Sequence, residues 1–218
     1  MKIIPYEEKY LNSWLRCRLL SGYGTAEQYN GLKTTKDSYP ENPTIDLICV
    51  NDQDEVVGLQ QTVLDTPANK ETMYQGLSQQ GAYFMENYVH PDYQRQGIAT
   101  ALFQQTCQLA KDAGVSWLEI WTCGDEAANH FYQKAGAQPI YHYWQVQGYS
   151  NPWPQNQCQY DENGFLREVL REGQHFPYLQ EITNYQVYRE EDLQALEVVK
   201  QNKVTCYLLK LAENASSI

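Results

Sequence analysis

No apolar run in the chain approaches membrane-spanning length, which excludes a transmembrane helix. The opening residues, MKIIPYEEKYLNSW, lack the apolar core and small-residue cleavage site of a signal peptide, so a cytoplasmic protein is expected. Paired cysteines are missing: Cys17, Cys49, Cys107, Cys123, Cys158 and Cys206 are scattered and form no C-x-x-C pair. They are expected to be reduced thiols, and no metal is expected, because no two Cys or His stand at zinc-ligand spacing. Basic residues are also short, 16 Lys and Arg against 27 Asp and Glu, a net charge of −11. Without a basic stripe no nucleic-acid partner is expected, and without a spanning apolar run no membrane partner is expected either. The acidic balance fits a plain solvated surface, or a negative cleft that attracts a cationic substrate such as an amine.

The chain has 218 residues, 42% of them hydrophobic, enough for one full core and a substantial extension. KIIPY reads as a short strand, followed by a helix in which Tyr10, Leu11, Trp14, Leu15, Cys17 and Arg18 recur at helical spacing. Residues 25–43 read as a loop. TIDLICV and EVVGLQQTVLD form a hairpin, Thr66 to Gln80 a polar loop, and AYFMENYV the next strand. From Gly97 a helix is expected with Ile98, Leu102, Thr106, Leu109 and Ala113 on its inner face, ended by Gly114. SWLEIW follows as a strand. Asp125 caps a helix with Ala128, Phe131, Tyr132 and Ala135 inward, and PIYHYWQVQ is a further strand. The order predicts a mixed α/β (α+β-like) fold, a central mixed β-sheet flanked by helices, over residues 1–147. Residues 148–218 are turn-rich at first and predict a C-terminal extension or small lobe: FLREVLREG and EEDLQALEVVK as helices, TNYQVYR and KVTCYLLKL as strands.

The strand-to-helix junction HPDYQRQGIATAL, His90 to Leu102, places Gly97 and Ala99 in the first helical turn. First-turn N–H groups have no partner inside the helix and carry the positive end of its dipole. Side chains kept small at Gly97 and Ala99, with Arg95 adjacent, make Gln94-Arg95-Gln96-Gly97-Ile98-Ala99 a cradle for pyrophosphate. The same residues also fit an ordinary loop glycine before a helix with a close-packed alanine. The spacing by itself does not choose.

The stretch V-H-P-D-Y-Q-R-Q-G-I-A-T-A-L resembles the acetyl-CoA signature of the GNAT superfamily of N-acetyltransferases, V-x-P followed by Q/R-x-x-G-x-G/A. Val89 and Pro91 match its first part, and Gln94, Gly97 and Ala99 its second. Further along, N-H-F-Y-Q-K-A-G-A resembles the superfamily's second motif, with Phe131, Tyr132 and Gly136 in place. The likeness spans roughly 1–147 and leaves the rest unexplained.

The resemblance implies an acetyl-CoA-dependent N-acetyltransferase with a primary amine as acceptor. The strand before the signature would splay from its neighbour, and Tyr88 and Val89 would bond the pantetheine arm through their backbone. Gln94, Arg95, Gln96, Gly97, Ile98, Ala99 and Thr100 would hold the pyrophosphate. Tyr132 is similar to the tyrosine that protonates the leaving thiolate; taken by itself, a tyrosine on an apolar helix face reads as core. Asn129 reads as a solvated helix residue or as a contact to the cofactor arm, where Phe131 is also placed. Lys134 reads as solvated or as reaching the outer phosphate. Many members carry Asn where this chain has Asp125. Glu86 is the candidate base, and strand alternation lets only one of Glu86 and Asn87 face the site; otherwise water takes the amine's proton.

Acceptor contacts are expected from residues 14–40 and 140–150, which hold Trp14, Tyr23, Tyr29, Tyr39, Tyr141, Tyr143, Trp144 and Tyr149; Trp153 follows, and Glu27, Asp37 and Glu41 stand nearby. Such aromatics with carboxylates suit a cationic small molecule, and they equally suit packing of the extension on the core. Two rival readings are an acyl-CoA sensor without turnover and a structural subunit with an empty cradle. A homodimer is compatible with the resemblance, and nothing in the sequence marks its surface.

Overall fold

The computed structural model describes residues 1–23, 35–150, 157–171, 173–176 and 182–211. The chain forms two compact units, Met1–Tyr141 with Thr205–Ile218, and His142–Val204. Residues 205–211, from the C-terminal stretch, thus belong to the first unit. Part of the expected 25–43 loop, with Glu27 and Tyr29, lies outside the described residues, as do Trp153 and the tail from 212.

In the first unit the chain runs β1 (Lys2–Pro5), α1 (Leu11–Gly22), β2 (Thr44–Val50), β3 (Val56–Leu64), β4 (Gly81–Val89), α2 (Ile98–Asp112), β5 (Trp117–Thr122) and α3 (Glu126–Lys134). β6 (Gln138–Ser150) passes into the second unit, which holds β7 (Gln157–Tyr160), β8 (Leu166–Arg171), β9 (Gln174–Phe176) and β10 (Thr183–Val187). β11 (Leu196–Lys210) returns to the first. The first unit's sheet has the order β1-β2-β3-β4-β5-β11. Every pairing in it is antiparallel except β4 with β5, which is parallel. This is the mixed α/β sheet the element order predicts. Among the described residues no helix is long and apolar enough to cross a membrane.

β3 is buried at all nine positions because helices cover both its faces. On one face Trp14 and Cys17 of α1 pack on Ile48 and Leu59. On the other, Ile98 and Leu102 of α2 pack on Leu47, Cys49 and Val57. Gly58 sets the approach of α2: a Cβ there would stand 2.5 Å from Cγ2 of Ile98. Tyr132 of α3 joins Phe84 and Phe103 on the α2 side. The inner face of α2 is Ile98, Leu102, Phe103, Thr106 and Ala110. Leu109, expected on that face, is 38% exposed, because the apolar stripe turns through Phe103 and Ala110 instead. Gly114 ends the helix at φ +84, as expected. The Asp125 carboxylate accepts from the N–H groups of Ala127 and Ala128, capping α3. Ala135, expected inward, is exposed just past the end of α3.

In the second unit β10 pairs with β6, and β7, β8 and β9 form a separate antiparallel sheet. Two helices expected there are strands or turns. FLREVLREG holds β8, the second arm of a hairpin whose turn is built on Asp161: its carboxylate accepts from the N–H groups of Asn163 and Phe165. EEDLQALEVVK forms a 3-10 stretch only over Glu190–Ala195 and then enters β11 at Leu196. The β-branched pair Val198 and Val199 favours the strand.

Candidate active site

The parallel register of β4 and β5 ends at Phe84 opposite Ile120. On its other edge β4 continues against β3 to Val89, but its register shifts by one residue: Thr62 faces Phe84 and Gln61 faces Glu86. Met85 is the inserted residue, and such a bulge bends and twists the strand that carries it. Beyond it, β4 and β5 separate around a cleft of about 180 Å³. Ser21, Met85, Glu86, Tyr88, Trp121 and Tyr132 are among the residues lining it. From Met85 onward the edge of β4 that faces β5 carries backbone groups outside any recorded β4–β5 pairing.

The end of β4 leads through a 3-10 turn, Pro91–Tyr93, to α2. Arg95 and Gly97 both have positive φ, 61° and 80°. This brings successive N–H groups round to one side of the helix start. A Cβ on Gly97 would meet nothing within 4 Å, so the glycine leaves open space at the positive end of the α2 dipole. Gln94, Arg95, Gln96, Gly97 and Thr100 are exposed, and Ala99 is half-buried. Ile98 turns its side chain into the core, leaving only its N–H toward the helix end. The Gln94 amide donates to the Val89 carbonyl at 3.4 Å, and Gln94 lines the cleft with Tyr88 and Val89.

Tyr132 reaches the cleft from α3 and is 8% exposed. Its ring stands edge-on to Phe84 and Phe131. Phe131 in turn packs on Phe103. Asn129 is a tie between elements: its Oδ1 accepts from Thr122 Oγ1 at 2.7 Å and from the Tyr207 hydroxyl at 2.8 Å. Its Nδ2 donates to the Asp125 carbonyl. Lys134 is exposed.

Glu86 and Asn87 both line the cleft, which corrects the expectation that only one of them would. Alternation still sends their side chains to opposite faces, but the opening passes through the sheet between two strands, so both faces border it. Glu86 is 5% exposed and accepts from Arg18 Nε at 2.7 Å. The guanidinium lies over the Tyr88 ring, 5.4 Å from its centre. Beside the bulge, the Tyr39 hydroxyl donates to Met85 Sδ, and burial pushes its pKa up to about 12. Trp14, expected among acceptor contacts, is core at 1% exposed. Tyr23 is 81% exposed. Tyr141 packs against Trp121, and Tyr143, Trp144 and Tyr149 belong to the second unit.

Sequence reasoning did not name Ser21, Met85, Trp121, Thr122, Cys123 and Ala128 as lining the cleft. Four of them follow from topology: ligands gather beyond the carboxyl ends of parallel strands, and Trp121, Thr122, Cys123 and Ala128 lie at or just after the end of β5.

No curated protein matches the chain. Solved structures share its fold at low identity. The ribosomal-protein-S18-alanine N-acetyltransferase from Escherichia coli is 13% identical with a TM-score of 0.53, over 100% of this chain and 97% of that one. The ribosomal-protein-alanine N-acetyltransferase from Brucella melitensis is 13% identical at 0.54, over 97% and 100%. An N-acetyltransferase from Staphylococcus aureus Mu50 is 15% identical at 0.53, over 97% and 98%. The profile of the Acetyltransferase (GNAT) family matches residues 9–137, which carry the splayed strands, the α2 cradle and Tyr132. The chain therefore belongs to the GNAT family of acetyltransferases, enzymes that use acetyl-CoA as acetyl donor.

Proposed function

We propose that the protein transfers the acetyl group of acetyl-CoA directly to the primary amine of a small molecule. The observation that carries this reading is that Tyr132 and the open β4 edge line one cleft. In this reading the backbone of Tyr88 and Val89 bonds the pantetheine amides. The N–H groups from Gly97 to Thr100 take the pyrophosphate, with Gln94, Arg95 and Gln96 around them. Phe131 flanks the arm, and Lys134 meets the outer phosphate. Asn129 contributes through its hold on α3, since its side-chain oxygen already serves two hydroxyls.

The amine nitrogen, as the neutral base, adds to the thioester carbon while backbone N–H groups hold the oxyanion. The C–S bond then breaks, and the electron pair leaves with sulfur. The Tyr132 hydroxyl gives its proton to that thiolate and recovers one from solvent. A phenol near pKa 10 is a competent donor to a thiolate whose acid lies near 8.5 when the two are held in contact. The proton lost by the amine passes to Glu86 or to water beside it. A cytoplasmic location accompanies this reading, in keeping with the free thiols of Cys17, Cys49, Cys107 and Cys206.

The test is thiol release from acetyl-CoA with a panel of amines, for the native protein and Tyr132→Phe. Amine-dependent release is expected, with kcat lowered roughly 10²–10⁴-fold in the variant and acetyl-CoA affinity kept. Phe retains the ring packing, so equal turnover would remove Tyr132 from the chemistry. Binding of acetyl-CoA with no release for any amine would favour a sensor.

A further inference from the structure

The Arg18–Glu86 pair has a geometry that a plain structural ion pair does not require. Glu86 is buried, and Arg18 is held from two sides, by its Nε on Glu86 and by its guanidinium over Tyr88. Its side chain is 16% exposed. Among the described residues its hydrogen bonding is confined to that one bond from Nε. A guanidinium has five donors in a rigid planar fork, so the Nη edge is left for another group. Both of its neighbours, Glu86 and Tyr88, line the cleft, as does Ser21, three residues along the same helix face. Directly opposite Glu86 on β3 stands Gln61, 1% exposed, whose Oε1 has no hydrogen-bond partner among the described residues. A buried carbonyl oxygen without a donor marks a place that a ligand or water fills.

From this we infer that the acceptor is an amine that also carries a carboxylate, of the α-amino-acid type. The inference rests on the acetyltransferase reading and narrows its substrate class. The Nη edge of Arg18 takes the carboxylate through charge-assisted hydrogen bonds. Glu86, with Gln61 beside it, takes the amine. The fixed Arg18–Glu86 dipole then matches the zwitterion charge for charge, which sets its orientation with the nitrogen toward the cleft. A zwitterion carries no net charge, so the protein's net charge of −11 does not repel it as it would a free anion.

The experiment compares matched pairs, an α-amino acid and the amine left by removing its carboxylate, by amine-dependent thiol release. An aminoalkyl phosphate forms a third arm, separating a carboxylate from other oxyanions. The native protein is expected to prefer the carboxylate-bearing partner in kcat/KM by roughly tenfold to a hundredfold, the worth of charge-assisted hydrogen bonds. Arg18→Lys keeps the charge and loses the fork, and should bring that ratio toward unity through the KM of the amino acid, with the KM of acetyl-CoA unchanged. Arg18→Gln should do the same, and Lys remains the informative variant if Gln fails to fold. Equal use of both partners, or a preference for the decarboxylated amine, overturns the inference and leaves the acetyltransferase reading standing. Preference for the phosphate arm alone also overturns it. No thiol release with any amine, while acetyl-CoA binds, overturns both.

Discussion

Phe84 and Ile120 are the last residues at which β4 and β5 stay in register, and the bulged Met85 follows Phe84 directly. The extra residue is thus placed where the strands begin to part. Deleting Met85 restores a regular β3–β4 ladder, and Phe84 and Glu86 keep their opposite faces because only the inserted position is lost. The deletion variant is expected to fold with acetyl-CoA affinity lowered at least about tenfold, a loss of 1.4 kcal/mol. Calorimetric titration measures it, and native affinity would mean that the bulge does not set the gap.

Gly97 separates strain from obstruction. Its φ of 80° is costly for any residue with a Cβ, yet the Cβ itself would touch nothing. Gly97→Ala should lower stability by about 1–2 kcal/mol in urea unfolding and leave much of the cofactor affinity. Gly97→Glu pays the same strain and adds a carboxylate where pyrophosphate is proposed to sit, so acetyl-CoA binding should vanish. Equal affinity for the two variants would move the phosphates elsewhere.

Asn129→Ala leaves the hydroxyls of Thr122 and Tyr207, both buried, without their shared acceptor. Thr122 keeps only a long contact to the Thr205 carbonyl at 3.5 Å, and the Tyr207 oxygen still accepts from Gln133 Nε2 at 3.1 Å. The loss is that of two hydrogen bonds at about 1 kcal/mol each, so the thermal midpoint should fall by a few degrees. If Asn129 acts only as this tie, the KM for acetyl-CoA stays unchanged at temperatures where the variant is folded. A raised KM with an unchanged midpoint would instead assign it to the cofactor.

Alkaline pH should weaken the fold. Burial pushes the Cys17 and Cys107 thiols up to about 11 and Cys206 up to about 12, from an ordinary value of 9.0. Above pH 9 the unfolded chain releases these protons while the native one keeps them. Stability from these groups is therefore complete below pH 9 and lost as pH rises through 11 to 12. Urea midpoints taken across that window should fall steadily, and Cys17→Ala should flatten the slope. A flat native profile would mean that the thiols are less buried in solution.

Much of the first unit is legible in the sequence because its periods are clean. The change from alternation in AYFMENYV to helical spacing at Ile98, Leu102 and Thr106 marks the strand-to-helix junction, and Gly97 marks its turn. The second unit misleads for a definite reason. Leu166, Val169 and Leu170 stand at helical spacing, yet β8 buries chiefly Val169 and pairs across a tight turn. The turn had its own signal in Asn163-Gly164, a dipeptide that favours hairpins, and Gly164 adopts φ +83. Arg18 and Glu86 are 68 residues apart in the chain, and no local pattern announces their meeting. It arises because α1 crosses the face of β3 and β4, a tertiary fact that periodicity does not contain.

β11 has a consequence for the order in which the protein is assembled. It is the outer neighbour of β5, pairing Leu208 with Glu119, and its Tyr207 fastens the helix that carries Tyr132. β5 and α3 are made long before these partners exist, so the wall of the cleft must wait for a loop of many tens of residues to close, the kind of distant contact that slows folding. A nascent chain that has not yet released residue 210 would already hold the Gly97 turn at the start of α2, with α3 not yet fastened by Tyr207. The wall of the cleft would therefore be completed late, when the far strand docks beside β5.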